Sequence, residues 1–359
     1  MPADRGSAAG PAGGRMLEET ITMAHGSGGE STGRLISELF AKSFHNAYLD
    51  RLTDSSVVPV PAGSGSIAMT TDSFVVTPYF YAGGDIGRLS VCGTVNDLLM
   101  SGATPKYLTA GFILEEGLPS ADLGKIVNSM AATAAEAGVM IVTGDTKVVE
   151  SRSGTGRGGL MINTAGVGVF EDGVPDMGPD RLEAGDVLLL SGTLGEHHAT
   201  ILSARMGMEN SGIESDNAPL TEIVKNLKTS GVRVRAMRDV TRGGLATVLN
   251  EFVSASGVTI TVEQEKVPVR ESVRSFCGVL GLDPLYMGNE GKMAVAVAGC
   301  DADAALAAMK RSRYGADAAV IGKVSDPGEG GKPVLLLSTG IGGRRVLGPL
   351  YGEGLPRIC

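Results

Sequence analysis

The chain closes on Leu355-Pro356-Arg357-Ile358-Cys359, which puts a thiol at the last position of a short, proline-bearing segment. Proline fixes one dihedral and pushes its neighbour toward extended conformations, so this end reads as an extended arm rather than part of a core. A thiol at the tip of an arm can enter a cleft, accept a group there and carry it elsewhere. Two glycine-rich loops offer such a cleft an anion site. His25-Gly26-Ser27-Gly28-Gly29 precedes a helical pattern carried by Leu35, Leu39 and Phe40, and Asp239-Val240-Thr241-Arg242-Gly243-Gly244 opens a second helix. Each would aim backbone N–H groups and the positive end of a helix dipole at phosphate. Neither continues as Gly-Lys-Ser/Thr, so neither is a Walker A loop, and a plain turn explains either one equally well.

Carboxylates are the second signal. Asp72 follows the strand-like Ala68-Met69-Thr70-Thr71, Asp97 sits beside Asn96 within the apolar run Val95–Met100, and Asp145 follows Ile141-Val142-Thr143-Gly144. A charge placed in or at the end of an apolar element is costly unless paired or metal-bound. Several carboxylates converging beside a phosphate loop would hold Mg²⁺ on a nucleotide, whereas helix caps and surface turns account for any single one. Lys147 lies two residues past Asp145, on the same face if that stretch is extended. It suits either charge neutralisation on a phosphoryl group or a simple ion pair. Glu290, between glycines in Gly288-Asn289-Glu290-Gly291-Lys292, reads as a general base or a turn residue. His197-His198 opens an apolar helix with no ligand at metal spacing, so it reads as structural. There is no Ser/His/Asp signature.

Strands are expected at Ser66–Thr71, Tyr107–Leu114, Val139–Thr143, Leu160–Phe170 and Val187–Ser191, each apolar and bounded by Gly or Pro. Helices are expected at 121–137, with Leu123, Ile126, Val127, Met130 and Ala134 on one face, and at 242–256, with Leu245, Val248, Leu249 and Phe252. Gly138 and Gly257 are placed to end them. Mixed order with hairpin-like connections argues an α+β fold. Residues 1–20 read as a disordered extension, 21–170 as one domain, 171–184 as a linker, 185–348 as a second domain and 349–359 as a mobile tail.

Composition narrows the classes. The 359 residues suffice for two domains, and a net charge of −9 without a dense basic patch argues against nucleic acid. No stretch approaches a membrane span and the first twenty residues lack an apolar signal region. Cys92, Cys277 and Cys300 sit among apolar or small neighbours without a CxxC pair, as reduced core thiols of a cytoplasmic protein would.

Taken in order, these motifs resemble a known family. His25–Gly29, Val95–Leu98 with Ser101-Gly102-Ala103, Phe112–Pro119, Gly144–Val149, Arg238–Leu245, Asn289–Lys292 and Pro356–Cys359 are similar to the HypE family of nickel–iron hydrogenase maturation factors. The likeness runs from about residue 21 to the end. The glycine and aspartate motifs alone indicate the wider PurM-like superfamily of aminoimidazole ribonucleotide synthetase, selenophosphate synthetase and thiamine-monophosphate kinase. Pro-Arg-Ile-Cys at the terminus narrows it. The departures are an extra N-terminal tail and Val240 at a position that varies.

The resemblance implies a two-domain α+β architecture and a homodimer whose N-terminal domains share a barrel-like sheet, with ATP bound near the interface. It further implies that a HypF-like carbamoyltransferase loads the Cys359 sulfur and that this chain dehydrates the carbamoyl group to a thiocyanate with ATP. The cyano group then passes to an iron-carrying HypC–HypD scaffold complex. On that basis Asp72, Asp97, Asp145 and Asp239 are expected to hold Mg²⁺–ATP, with Asn96, Thr146 and Thr241 beside them and Gly26, Ser27, Gly28 and Gly29 covering phosphate. His25, Lys147 and Arg242 would balance charge on the transferred group, and Glu290 would remove the amide protons. A small-molecule kinase or selenophosphate-type synthetase would instead turn over ATP without Cys359. A non-catalytic adaptor would bind ATP only to position the tail.

Overall fold

In the computed structural model the described residues are 29–35, 37, 56–59, 65–115, 117–149, 159–171, 177–208, 212–327 and 331–350. The N-terminal part runs α1 (Glu30–Leu35), β1 (Ser56–Pro59), β2 (Ser66–Phe74), the short pair β3 (Phe80–Tyr81) and β4 (Gly84–Asp85), and α2 (Ile86–Met100). It continues through β5 (Thr104–Glu115), α3 (Ser120–Ala137), β6 (Met140–Val149) and β7 (Leu160–Val169). Its five-stranded sheet has the order β1-β2-β7-β5-β6, antiparallel except where α3 connects the parallel strands β5 and β6.

The C-terminal part contains β8 (Val187–Leu190), α4 (Glu196–Arg205), α5 (Thr221–Thr229), β9 (Val234–Asp239), α6 (Gly244–Ser256) and β10 (Thr259–Glu263). After these come α7 (Glu271–Leu280), β11 (Met293–Val297), α8 (Ala302–Lys310), β12 (Ala319–Ser325), β13 (Leu335–Ser338) and β14 (Arg344–Val346). Its seven strands pair in the order β14-β13-β10-β12-β8-β11-β9. The α+β class and the two sheet-bearing halves are as expected.

Helix α2 is the axle of the molecule. Asp85 caps it by accepting from the N–H groups of Gly87 and Arg88 at 2.7 and 2.9 Å, and of its residues only Arg88 and Asp97 escape burial. A helix buried nearly all round needs partners on both sides. It packs on β2, β5 and β7 of its own half, and on β9 and α5 of the other. The segment 212–220 straps the halves together: Ser215 N donates to Ala82 O at 2.9 Å and Arg88 Nε to Asn217 O at 2.9 Å.

On α3, Ile126, Met130 and Ala134 are buried as expected, while Val127 lies one step around the helix and is exposed. Gly138 and Gly257 both end their helices in the left-handed region. Cys92 and Cys277 are buried, but Cys300 is exposed. Its small neighbours mark the tight surface turn Gly299–Asp301 rather than a core, and Arg233 reaches its sulfur. Met69, Tyr107, Ile113 and Met161 lie on the sheet face opposite α2 and stay exposed among the described residues. Among the described residues no helix is long and apolar enough to cross a membrane.

Candidate active site

One strand and two loops bring chemistry to the boundary between the halves. From the N-terminal sheet comes Asp72 on β2. Gly93 of α2 lies beneath it: a Cβ there would sit 2.8 Å from the Phe74 ring and 3.6 Å from Asp72 Oδ2, so only a glycine lets the helix approach this closely. One turn further along α2, Asp97 accepts from Thr70 Oγ1 at 2.9 Å.

From the other half comes the β9–α6 turn with Asp239 and Arg242. Gly244 (φ +66°) opens α6 in the left-handed region, and a Cβ there would fall 2.5 Å from Leu285 O. Glu290 comes from the loop entering β11. Asn289 fixes that loop: its side chain donates to Val240 O at 3.0 Å and accepts from Gly195 N at 2.7 Å. Val240 N donates to Lys292 O at 2.8 Å, so the Asp239 and Glu290 loops are laced together.

These groups sense one another's charge. Burial first, then the negative charges of Asp72, Asp239 and Asp216, hold the Glu290 carboxyl well above the ordinary carboxylate range, with Arg242 opposing. Asp239 is pushed up to about 6 by burial, against the pull of Arg238, with Asp72 adding to the rise. Burial also raises Asp72, opposed by Arg242 and by the Ser73 N–H that donates to its Oδ1 at 2.7 Å. The result is a crowded acidic site, only partly offset by the Arg242 and Arg238 guanidiniums, where an added cation relieves repulsion.

Other expected residues fall elsewhere. Asp145 and Lys147 pair with each other at 2.7 Å and are both largely exposed. Asp72 aligns with Thr164, Ala110 and Gly144 across the sheet, so Asp145 and Lys147 point to the opposite face, the one bearing Ile113 and Met161. Within one chain they do not join the Asp72–Asp239–Glu290 cluster, and the four aspartates are not one cage. Among the described residues no group of three His, Cys, Asp or Glu side chains is disposed to hold a metal unaided.

The Asn96 amide is committed to the strap, donating to Ala218 O at 3.1 Å and accepting from Leu220 N at 2.9 Å, so it serves the joint between halves. Thr241 is half-buried in the β9–α6 turn. Thr146 lies in β6, its side chain outside the described ones. His197 and His198 are buried, with His197 Nδ1 against Ser215 Oγ at 2.8 Å; burial pushes them down to about 4 and about 3. His25, Gly26, Ser27, Gly28 and Cys359 lie outside the described residues; Gly29 is described, buried just before α1.

Two elements carried no local signal. Asp216 sits in an aperiodic polar stretch, and Tyr286 in an ordinary turn. Yet Tyr286 OH donates to Gly348 O at 2.9 Å and Glu30 N to Leu350 O at 3.1 Å. The root of the C-terminal tail is thereby fixed between the start of α1 and the turn that abuts Gly244.

Comparison with known proteins decides the family. The AIR synthase related protein models match in both their N-terminal domain (residues 53–170) and their C-terminal domain (residues 183–332). The carbamoyl dehydratase HypE of Cupriavidus necator is 49% identical over 94% of this chain and 95% of its own. The chain belongs to the HypE family of carbamoyl dehydratases. A HypE crystal structure in complex with ATP is 45% identical, covers 95% of this chain and 100% of its own, and superposes with a TM-score of 0.78. HypE in a HypE–HypF complex gives 0.80 at 45% identity, over 88% of this chain and 99% of that one. With HypE relatives at this likeness, the two-domain fold and the enzymatic class follow directly.

Proposed function

We propose that this chain carries a carbamoyl group on the Cys359 sulfur and dehydrates it to a thiocyanate with ATP, at the boundary where Asp72, Asp239, Arg242 and Glu290 meet. Hydroxide is a poor leaving group from an amide carbon, so the carbonyl oxygen first attacks the γ-phosphorus and the bond to ADP breaks. The C–O bond then breaks, phosphate leaves, both N–H protons are lost, and a C≡N bond remains. The balance is S-carbamoyl-cysteine plus ATP giving S-cyano-cysteine, ADP, phosphate and a proton.

Each residue type has a task. Arg242 balances charge on the transferred phosphoryl group, as positioning and charge neutralisation dominate such transfers. Glu290, buried and held above its ordinary range, takes one amide proton, and the other leaves with the phosphate. Asp72 and Asp239 fit a divalent cation that brings its remaining ligands from phosphate, since the charge of Asp72 raises Asp239 and the described residues offer no larger set. When bound, such an ion supplies charge neutralisation on the phosphates. The role of Asp97 is indirect, through Thr70. The Asp145–Lys147 pair can serve only at the subunit junction, on the apolar sheet face that a homodimer would close into a barrel. His25 and the Gly26–Gly29 loop remain our choice for phosphate contact, and a carbamoyltransferase of the HypF kind and an iron-carrying HypC–HypD complex remain our choice of partners, all in the cytoplasm.

The observation that carries this reading is the position of the tail's root. From Gly348 O to Glu290 lie one hydrogen bond of 2.9 Å, one tyrosine side chain and four residues of chain, which span at most about 14 Å. Two more residues, about 7 Å at most, lead to the pinned Leu350, and the nine residues from there to Cys359 reach roughly 30–32 Å when extended. The sulfur can therefore reach Glu290 within its own subunit. The test loads Cys359 with carbamoyl phosphate and the transferase, adds Mg–ATP, and reads the tail peptide by mass. Cyanation is expected in the parent, and Glu290→Gln is expected to stop at the carbamoyl adduct. A cyano adduct that survives Cys359→Ala would refute it.

A further inference from the structure

Glu290 belongs to one half of the molecule and Asp72 to the other, so something must hold them in register. The strap 212–220 is gripped on one side by α2 and the β3–β4 turn: Asn217 Nδ2 donates to Tyr81 OH at 3.1 Å and Ser215 N to Ala82 O at 2.9 Å. On its other side it meets the Glu290 loop. Glu290 N donates to Asp216 Oδ1 at 3.2 Å, Ala218 N donates to Glu290 O at 3.3 Å, and a Cβ on Gly291 would fall 2.0 Å from Asp216 O.

Behind this contact lies a buried ion pair. Lys292 Nζ sits 3.2 Å from Asp216 Oδ2, with side chains only 11% and 3% exposed. The lysine stem runs past Gly192, where a Cβ would stand 2.9 Å from it. Both partners line a cavity of about 490 Å³ between the halves, on the strap's side of the Glu290 loop. Glu196, buried at its wall, keeps one carboxylate oxygen without a hydrogen-bond partner. A buried pair of this kind adds little net stability, but losing one partner leaves an uncompensated charge. Its value lies in geometry: an ionised Asp216 accepts the Glu290 N–H more strongly than a neutral group would.

We propose that the Asp216–Lys292 pair is a positioning device that fixes Glu290 against Asp72 across the domain boundary through the Glu290 backbone N–H. This rests on Glu290 being the base of the reaction proposed above. Neither residue touches substrate; both act through the loop.

The test uses the full chain, preloaded at Cys359, in single-turnover dehydration with Mg–ATP, alongside ATP affinity and the rate of carbamoyl loading. Lys292→Met is expected to slow dehydration about tenfold or more, as a small misplacement of a catalytic group does, with ATP affinity and loading within about twofold. Should that variant fail to fold, two charge-free variants carry the test. Asp216→Asn with Lys292→Met keeps an acceptor for the Glu290 N–H, whereas Asp216→Ala with Lys292→Met removes it. The first is expected to dehydrate at least about fivefold faster than the second at equal ATP affinity. Equal rates in the two, with melting temperature as the only change, would overturn the proposal and make the pair purely structural. Undiminished dehydration by Glu290→Gln would instead sink the base assignment, which is a separate result.

Discussion

Asp239→Asn is expected to make the ligand-free protein more stable while ending its activity. Asp239 is 5% exposed and its carboxyl rises from 3.8 to about 6. At about 1.4 kcal/mol per unit, ionising it within the fold costs roughly 3 kcal/mol. Below pH 3.8 the side chain is protonated folded and unfolded, and nothing is lost. As pH rises toward 6 the unfolded chain ionises first, so stability falls, and above 6 the full cost is present. Asparagine has the same size and never ionises. The variant should match the parent near pH 4 and exceed it by up to about 3 kcal/mol at pH 8. If the C-terminal half melts as a unit, that is roughly 6–12 °C. Thermal melts across this pH range, with chelator and without nucleotide, measure it. Adding Mg–ATP should narrow or reverse the gap, because only the parent gains binding free energy from the cation site. A stability difference that does not change with pH, or a variant less stable at pH 8, would refute the claim that Asp239 is held against its own solvation.

Three further outcomes are expected. Asn96→Leu leaves Ala218 O and Leu220 N buried without their partner, and should cost roughly 2–5 kcal/mol in chemical denaturation. Gly244→Ala meets Leu285 O and Tyr286 head-on at φ +66°; the backbone conformation alone costs about 1–3 kcal/mol, and the displaced turn should reduce dehydration together with stability. Ile113→Lys sets a charge in the exposed apolar face of the N-terminal sheet, and light scattering is expected to read a monomer where the parent reads a dimer.

The regular elements were legible because their signals are local. The periodic faces of α3 and α6, and the glycines that end both helices, mark themselves within a few residues. The strands declare themselves by apolar runs, though the sequence under-reads β6, which continues through Asp145 and Lys147 to Val149. That extension decides the site: alternation along β6, together with the cross-strand register, sends Asp145 to the face away from Asp72, which no local pattern reveals. Asn96 was misleading for a related reason. Its neighbour Asp97 and its apolar setting suggest a ligand, but a buried amide serves equally well to satisfy a strap that passes 122–124 residues later in the chain. Asp216, Asn217 and Tyr286 were invisible because their roles exist only once the two halves have met.

That meeting explains why the chemistry is divided between halves. Asp72 stands on a strand whose other face bears the exposed Met69, while Asp239 ends β9 and Glu290 precedes β11, neighbouring strands of a sheet in which β11 is buried on both sides. Each set alone is a modest acidic patch. Once the halves meet, Asp72 raises Asp239 and both raise Glu290, and that repulsion is held in place by packing that has nothing to do with the reaction: α2 wedged between sheets, Asn289 lacing two loops, and the strap held by Arg88 and Asn96. An added cation can draw on it only while the halves stay closed. Substitutions that loosen the strap without touching any carboxylate should therefore weaken catalysis more than they weaken folding of either half.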